Sequence, residues 1–273
     1  MLGKLIKNDL KFGAHSVSLV YLTALIASAV MGISLLADLE TVKYISSVVF
    51  IIAAFAIVIV TVITIIISIQ KTMYGSQGYL THTLPVKTSA LVFSKWFTSF
   101  LWVFISQLFF YASIVFMYFY VSGEDGFQMI KSILLSGEFS MLISEAVLKK
   151  VAILEASRLI IQVATITMYV LFGITLSNVR PFHVLGNLGA VIYSFITILA
   201  GHYLGKGAAK LADIAVALTP DKVSVVVTEA AKDAILDING AIRPVTATFT
   251  GVVFAVILYF IIIMLIEKKI NIK

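Results

Sequence analysis

The chain has 273 residues, 60% of them hydrophobic and only 12% charged, with a net charge of +6. A soluble domain carries about 25% charged residues, so a solvated globular fold is excluded. Cysteine is absent, which excludes disulfides and thiolate metal sites.

The apolar residues fall into six blocks without Asp, Glu, Lys or Arg, at about 17–37, 46–69, 97–121, 159–178, 184–204 and 246–266. Each is about twenty residues long, enough to cross a bilayer core of about 30 Å. Backbone polar groups in lipid must be satisfied within the segment, so each block reads as a helix. A β-barrel would show short alternating segments instead. The expected fold class is an all-α integral membrane protein: one domain over 1–273 with six transmembrane helices.

In MLGKLIKNDLKFG, Lys4, Lys7 and Lys11 recur at helical spacing, with Leu2, Leu5, Ile6 and Leu10 on the other side. This predicts a short interfacial helix over 1–15; a basic leader that only sets topology is the alternative. Ala27-Ser28-Ala29 has the form of a signal-peptidase site, but the apolar run continues to Ala37, which suits a retained helix.

The second and third spans are separated by a basic segment, 70–96, with no acidic residue. Gly75 and Gly78 permit tight turns or close approach of another backbone. Tyr79 and Leu80 form an amphipathic anchor of the kind that dominates interfaces, and Pro85 ends any helix. A plain loop with an interfacial tyrosine is the competing reading. The third span is rich in aromatic residues. Its middle either faces lipid or lines a surface for an amphipathic substrate, and Phe104, Gln107, Phe109 and Tyr111 are the candidate lining.

Two long segments follow, about 122–158 and 205–245. In the first, Ile143, Val147, Leu148, Val151 and Leu154 form an amphipathic pattern running into the fourth span. In the second, Thr219-Pro220-Asp221 has the order of an N-cap, N1 proline and first-turn acid. Val223, Val226, Val227, Ala230, Ala234 and Ile238 then share a helical face, and Asn239-Gly240 ends it. Both segments are expected to be outer-surface helices, although the β-branched run Val225-Val226-Val227 leaves a strand open. Gly201 and Gly205 form a G-x-x-x-G pair, suited to close packing or to a dimer contact.

One face of the six-helix plan carries both termini, the 70–96 segment and Arg180. It has ten basic residues and two acids, a net +8. The other face has ten basic residues and twelve acids, a net −2. Basic residues in short loops mark the inner side, so both termini and 70–96 are expected in the cytoplasm. Orientation accounts for the basic excess, and no nucleic-acid partner is implied.

No phosphate-binding loop is present; Gly201-His-Tyr-Leu-Gly205-Lys206-Gly207 has the wrong spacing. His15, His82, His183 and His202 are scattered, and no H-E-x-x-H or G-x-S-x-G occurs. Ion-coupled carriers usually keep ionisable groups within their spans. Here the spans offer Gln107, Gln162, Asn187 and hydroxyls, so the energy for any transport is expected to come from outside the chain.

The run Tyr74-Gly75-Ser76-Gln77-Gly78-Tyr79-Leu80-Thr81-His82-Thr83-Leu84-Pro85-Val86, followed by Lys95 and Trp102, resembles the signature of bacterial ABC-2 type transporter permeases. The layout of the whole chain is similar, but the specific motif covers only 73–102. Where such permeases often carry an acid before Gly-Tyr-Leu, this chain has Gln77. The resemblance implies an ABC-2 type exporter fold and a plasma-membrane location. It also implies that 73–86 is a coupling helix docking a separate ATPase chain, through Tyr74, Gly75, Gln77, Gly78, Tyr79, Leu80, Leu84 and Pro85. ATP and Mg would be bound by that partner, with no catalytic, cofactor or metal site in this chain. A second copy or a related permease would complete the membrane portion. The expected cargo is lipophilic or peptide material; the alternatives are a secondary carrier or channel, or a non-transporting membrane module for peptide sensing or immunity.

Overall fold

A computed structural model describes residues 2–36, 40–75, 78, 86–122, 145–180, 182–219, 222–227 and 241–269. Six long helices carry the chain: α1 (Leu2–Leu36), α2 (Glu40–Ile69), α3 (Thr88–Ser122), α4 (Glu145–Ser177), α5 (Gly186–Leu211) and α6 (Thr246–Lys269). Among the described residues, five stretches are long and apolar enough to cross a membrane, one each in α2 to α6; the apolar part of α1, Val17–Ile33, is shorter. The chain is a membrane-embedded, mostly helical protein.

Between helices in lipid there is little hydrophobic driving force, so close packing and hydrogen bonds hold them together. The helices form two trios. In the α4–α5–α6 trio, Gly173 lies so close to α5 that a Cβ there would sit 2.3 Å from the Ser194 amide nitrogen. Ser194 Oγ donates to Val170 O at 3.1 Å. Gly201 lies under the Tyr169 ring, Gly205 lies against Ala247, and Tyr169 Oη donates to Gly251 O at 2.9 Å. The G-x-x-x-G pair therefore serves packing inside this chain, and a dimer contact through it is set aside. In the α1–α2–α3 trio, Ser106 Oγ lies 2.8 Å from both Tyr21 Oη and Thr61 Oγ1, linking all three helices. Met73, Leu91, Leu171, Ile174 and Ile262 belong to the core shared by the trios.

The N-terminal expectation changes. Residues 2–15 are not a separate helix but the first turns of α1. The amphipathic pattern remains, with Lys7 and Lys11 exposed and Leu5 packed against the core. The expected 70–96 loop is also shorter: α2 continues into a π-helical turn, Gln70–Tyr74, and α3 starts at Thr88. Lys71 and Lys95 therefore lie in helices.

The second outer segment is corrected more strongly, within a structure that stays mostly helical. Residues 205–211 extend α5. Beyond them lies a three-stranded antiparallel sheet in the order β2-β1-β3: β1 (Ile214–Leu218), β2 (Val223–Val227) and β3 (Ala241–Pro244). Val216 pairs with Val225 and Arg243, and Ala217 with Ser224 and Ile242. β-Branched valines lose rotamer freedom in a helix but pack well on a pleated surface. Thr219 N donates to Lys222 O at 3.0 Å, so the expected N-cap sits at a hairpin end. Residues 228–240, which carried the rest of the expected helix, lie outside the described residues.

The sheet rests on the helices. Val147 and Val151 of α4 are buried against Leu218, Lys150 Nζ donates to Thr219 O at 2.9 Å, and Arg243 pairs with Glu155 at 3.3 Å. α4 begins at Glu145, consistent with an amphipathic pattern running into the span; residues 123–144 are not described.

Candidate functional site

Two polar clamps flank the 76–85 stretch, one formed by the end of α2 and one by the start of α3. The first clamp holds α2 to α4. The π-helical turn closes with Gly75 N donating to Gln70 O at 2.7 Å. Such a turn adds a residue to the helix and is common at functional sites. It aims Tyr74 inward, with its hydroxyl 2.8 Å from Thr175 Oγ1. Gln70 Nε2 donates to Ser177 Oγ at 3.2 Å, and Asn178 Nδ2 donates to Gln70 Oε1 at 3.2 Å. Met73, between them, is fully buried. A Cβ at Gly75 would stand 3.2–3.3 Å from backbone atoms of Gln70 and Lys71, so the turn is tight.

The second clamp holds α3 to α1. Lys95, in the second turn of α3, donates to Asp9 Oδ1 at 2.5 Å, with the two side chains only 6% and 11% exposed. Ser94 Oγ donates to Asp9 Oδ2 at 3.1 Å. Two neighbouring contacts tie α3 to the other trio: Trp96 Nε1 donates to Ala164 O of α4 at 2.9 Å, and Tyr259 Oη of α6 donates to Ser89 O at 3.1 Å.

Of the residues assigned to docking, Tyr74 and Gly75 therefore belong to the inward-facing turn, and Gly78 N donates to Gly75 O at 2.8 Å. Gln77, Tyr79, Leu80, Leu84 and Pro85 lie outside the described residues. The substrate-path candidates do not share a surface. Phe104, Gln107 and Tyr111 recur at helical spacing on one face of α3. Phe109 points elsewhere and stacks on Tyr21 of α1, ring centroids 4.9 Å apart. Phe104 stacks on Phe100, and Tyr111 is exposed.

Sequence reasoning missed Asp9, Gln70, Thr175, Ser177 and Asn178. A signal existed for Asp9, the lone acid in a lysine-rich leader, but it entered only the charge count. Gln70 and Asn178 stand at the ends of their apolar blocks, where a polar residue reads as ordinary. Comparison with family models, with curated proteins and with solved structures finds no match to this chain.

Proposed function

We propose that this chain is the transmembrane permease subunit of an ATP-driven exporter of ABC-2 type. It moves a lipophilic or amphipathic substrate, of peptide character, outward across a bacterial plasma membrane. A separate ATPase supplies the energy, and a second copy or a related permease completes the path, giving six spans per chain with both termini in the cytoplasm. The observation that carries this reading is the pairing of the Tyr74-to-Val86 motif with the clamps on either side of it. A segment anchored to α4 at one end and to α1 at the other can pass a push on its middle into both trios.

The test is co-purification of a tagged ATPase with the full chain. An aromatic interface anchor is worth about 2 kcal/mol or more on truncation, and each 1.4 kcal/mol is about tenfold. Tyr79→Ala should therefore weaken ATPase binding by roughly thirtyfold, while Lys232→Ala leaves it unchanged. Full retention of the ATPase by Tyr79→Ala removes the docking role.

The Asp9–Lys95 pair favours a second reading, since buried ion pairs inside membrane proteins often mark ion-coupled carriers. Substrate uptake into vesicles containing this chain alone, driven by an ion gradient, would select that reading over the first.

A further inference from the structure

A small cavity lies beside the ion pair, between α1, α2 and α3. Its volume is about 30 Å³ and its lining includes Asp9, Lys95, Thr64, Ser68, Ser99 and Trp102. Room for one water needs about 10–15 Å³, so one or two fit. The lining is mixed: Val17, Ile65 and Ile69 close it on one side, while an ion pair and several hydroxyls enter it where a membrane interior is expected to be wholly apolar. On α3, Lys95, Ser99, Trp102 and Ser106 follow at steps of four, three and four; on α2, Thr61, Thr64 and Ser68 follow at steps of three and four. These spacings put each set on one helix stripe. The stripes meet at the Tyr21–Ser106–Thr61 hydroxyl cluster. At 1.5 Å per residue, Lys95 to Ser106 spans about 16 Å of depth.

Two donors at the cavity are incompletely matched. The Lys95 ammonium has three donors, and among the described residues Asp9 is its hydrogen-bond acceptor. Trp102 Nε1 is buried with no hydrogen-bond partner among the described residues. A buried polar group without a partner costs about 1–3 kcal/mol. Thr64 and Ser68 offer hydroxyl oxygens across the cavity. One small molecule that both accepts and donates satisfies this set, and water is that molecule. Asp9 lies two turns from the start of α1, flanked by exposed Lys7, Asn8 and Lys11, so the ion pair forms the mouth.

We propose that this seam is a water-holding inlet, opening at the Asp9–Lys95 pair to the face assigned to the cytoplasm and ending at the hydroxyl cluster. The inlet does not depend on the export reading.

The native chain has no cysteine, so single thiols report cleanly. Thr64→Cys and Ser68→Cys place thiols in the seam. Ile63→Cys and Ile67→Cys place them at the same depth on the exposed side of α2. The probe is a charged, membrane-impermeant thiosulfonate applied to inside-out vesicles containing the full chain. The thiolate is the reactive form and needs water, so the seam thiols should react at least about tenfold faster than the controls. Seam rates equal to those of the controls, whether all slow or all fast, overturn the inlet. A second readout keeps the seam residues intact. Trp96→Phe leaves Trp102 as the sole indole, and its emission should lie at the longer wavelengths of a hydrated indole. Emission typical of a dry apolar site counts against the proposal.

Discussion

At the scale of single residues, the ion pair between Lys95 and Asp9 sets the largest expected effect. Removing one partner of a buried pair leaves an uncompensated charge and costs about 3–5 kcal/mol, whereas replacing both with apolar groups is often neutral. Asp9→Asn should therefore lower the thermal midpoint of the detergent-solubilised chain sharply. The double change Asp9→Leu with Lys95→Met should recover most of the loss; a double variant no better than the single one would show that the pair is not the cause. Glycines give a second contrast. Gly173→Ala drives a methyl into the α5 backbone at Ser194, which side-chain motion cannot relieve, and should cost about 2 kcal/mol or more. Gly207 meets nothing within 4 Å on the exposed side of α5, so Gly207→Ala should stabilise by up to about 1 kcal/mol. Both are read from the same unfolding midpoint.

At the scale of elements, the membrane helices were legible because a twenty-residue apolar run has few other solutions in lipid. The sheet was not, because its local signals point two ways. Thr219-Pro220-Asp221 opens a helix as readily as it turns a hairpin. The valines repeat at 223, 226 and 227 for a helix but at 223, 225 and 227 for a strand. Pairing with β1 and the support of Val147 and Val151 decide between them, and those contacts are distant in sequence. The register supplies a test. Ala217 and Ser224 face each other across the hairpin, so Ala217→Cys with Ser224→Cys should oxidise to a disulfide, whose Cα separation is about 4.4–6.8 Å. Seven residues along a helix are about 10 Å apart, so failure to cross-link would return the segment to a helix. The clamps were illegible for a related reason. Gln70, Tyr74, Thr175, Ser177 and Asn178 lie more than a hundred residues apart across the chain, and nothing local marks a span-end glutamine as the partner of a distant asparagine.

At the scale of the whole molecule, orientation is the open expectation with the simplest check. Single cysteines at Ser76, Ser136 and Ser224, treated in intact cells with an impermeant reagent, should label at the last two and not at the first. Labelling of Ser76 alone would invert the chain. If the orientation holds, one hydroxyl takes on a mechanical meaning. Thr246 Oγ1 accepts from Ile214 N at 2.8 Å and donates to Ala212 O at 2.9 Å. It thereby joins the residue that ends α5, the first residue of β1 and the first turn of α6. The sheet is thus riveted to two spans instead of hanging from them. When α5 and α6 tilt, the strands swing with them, as a pointer follows its spindle. A spectroscopic label on the exposed valines of β2 would read, from outside the cell, the attitude of helices buried in the bilayer.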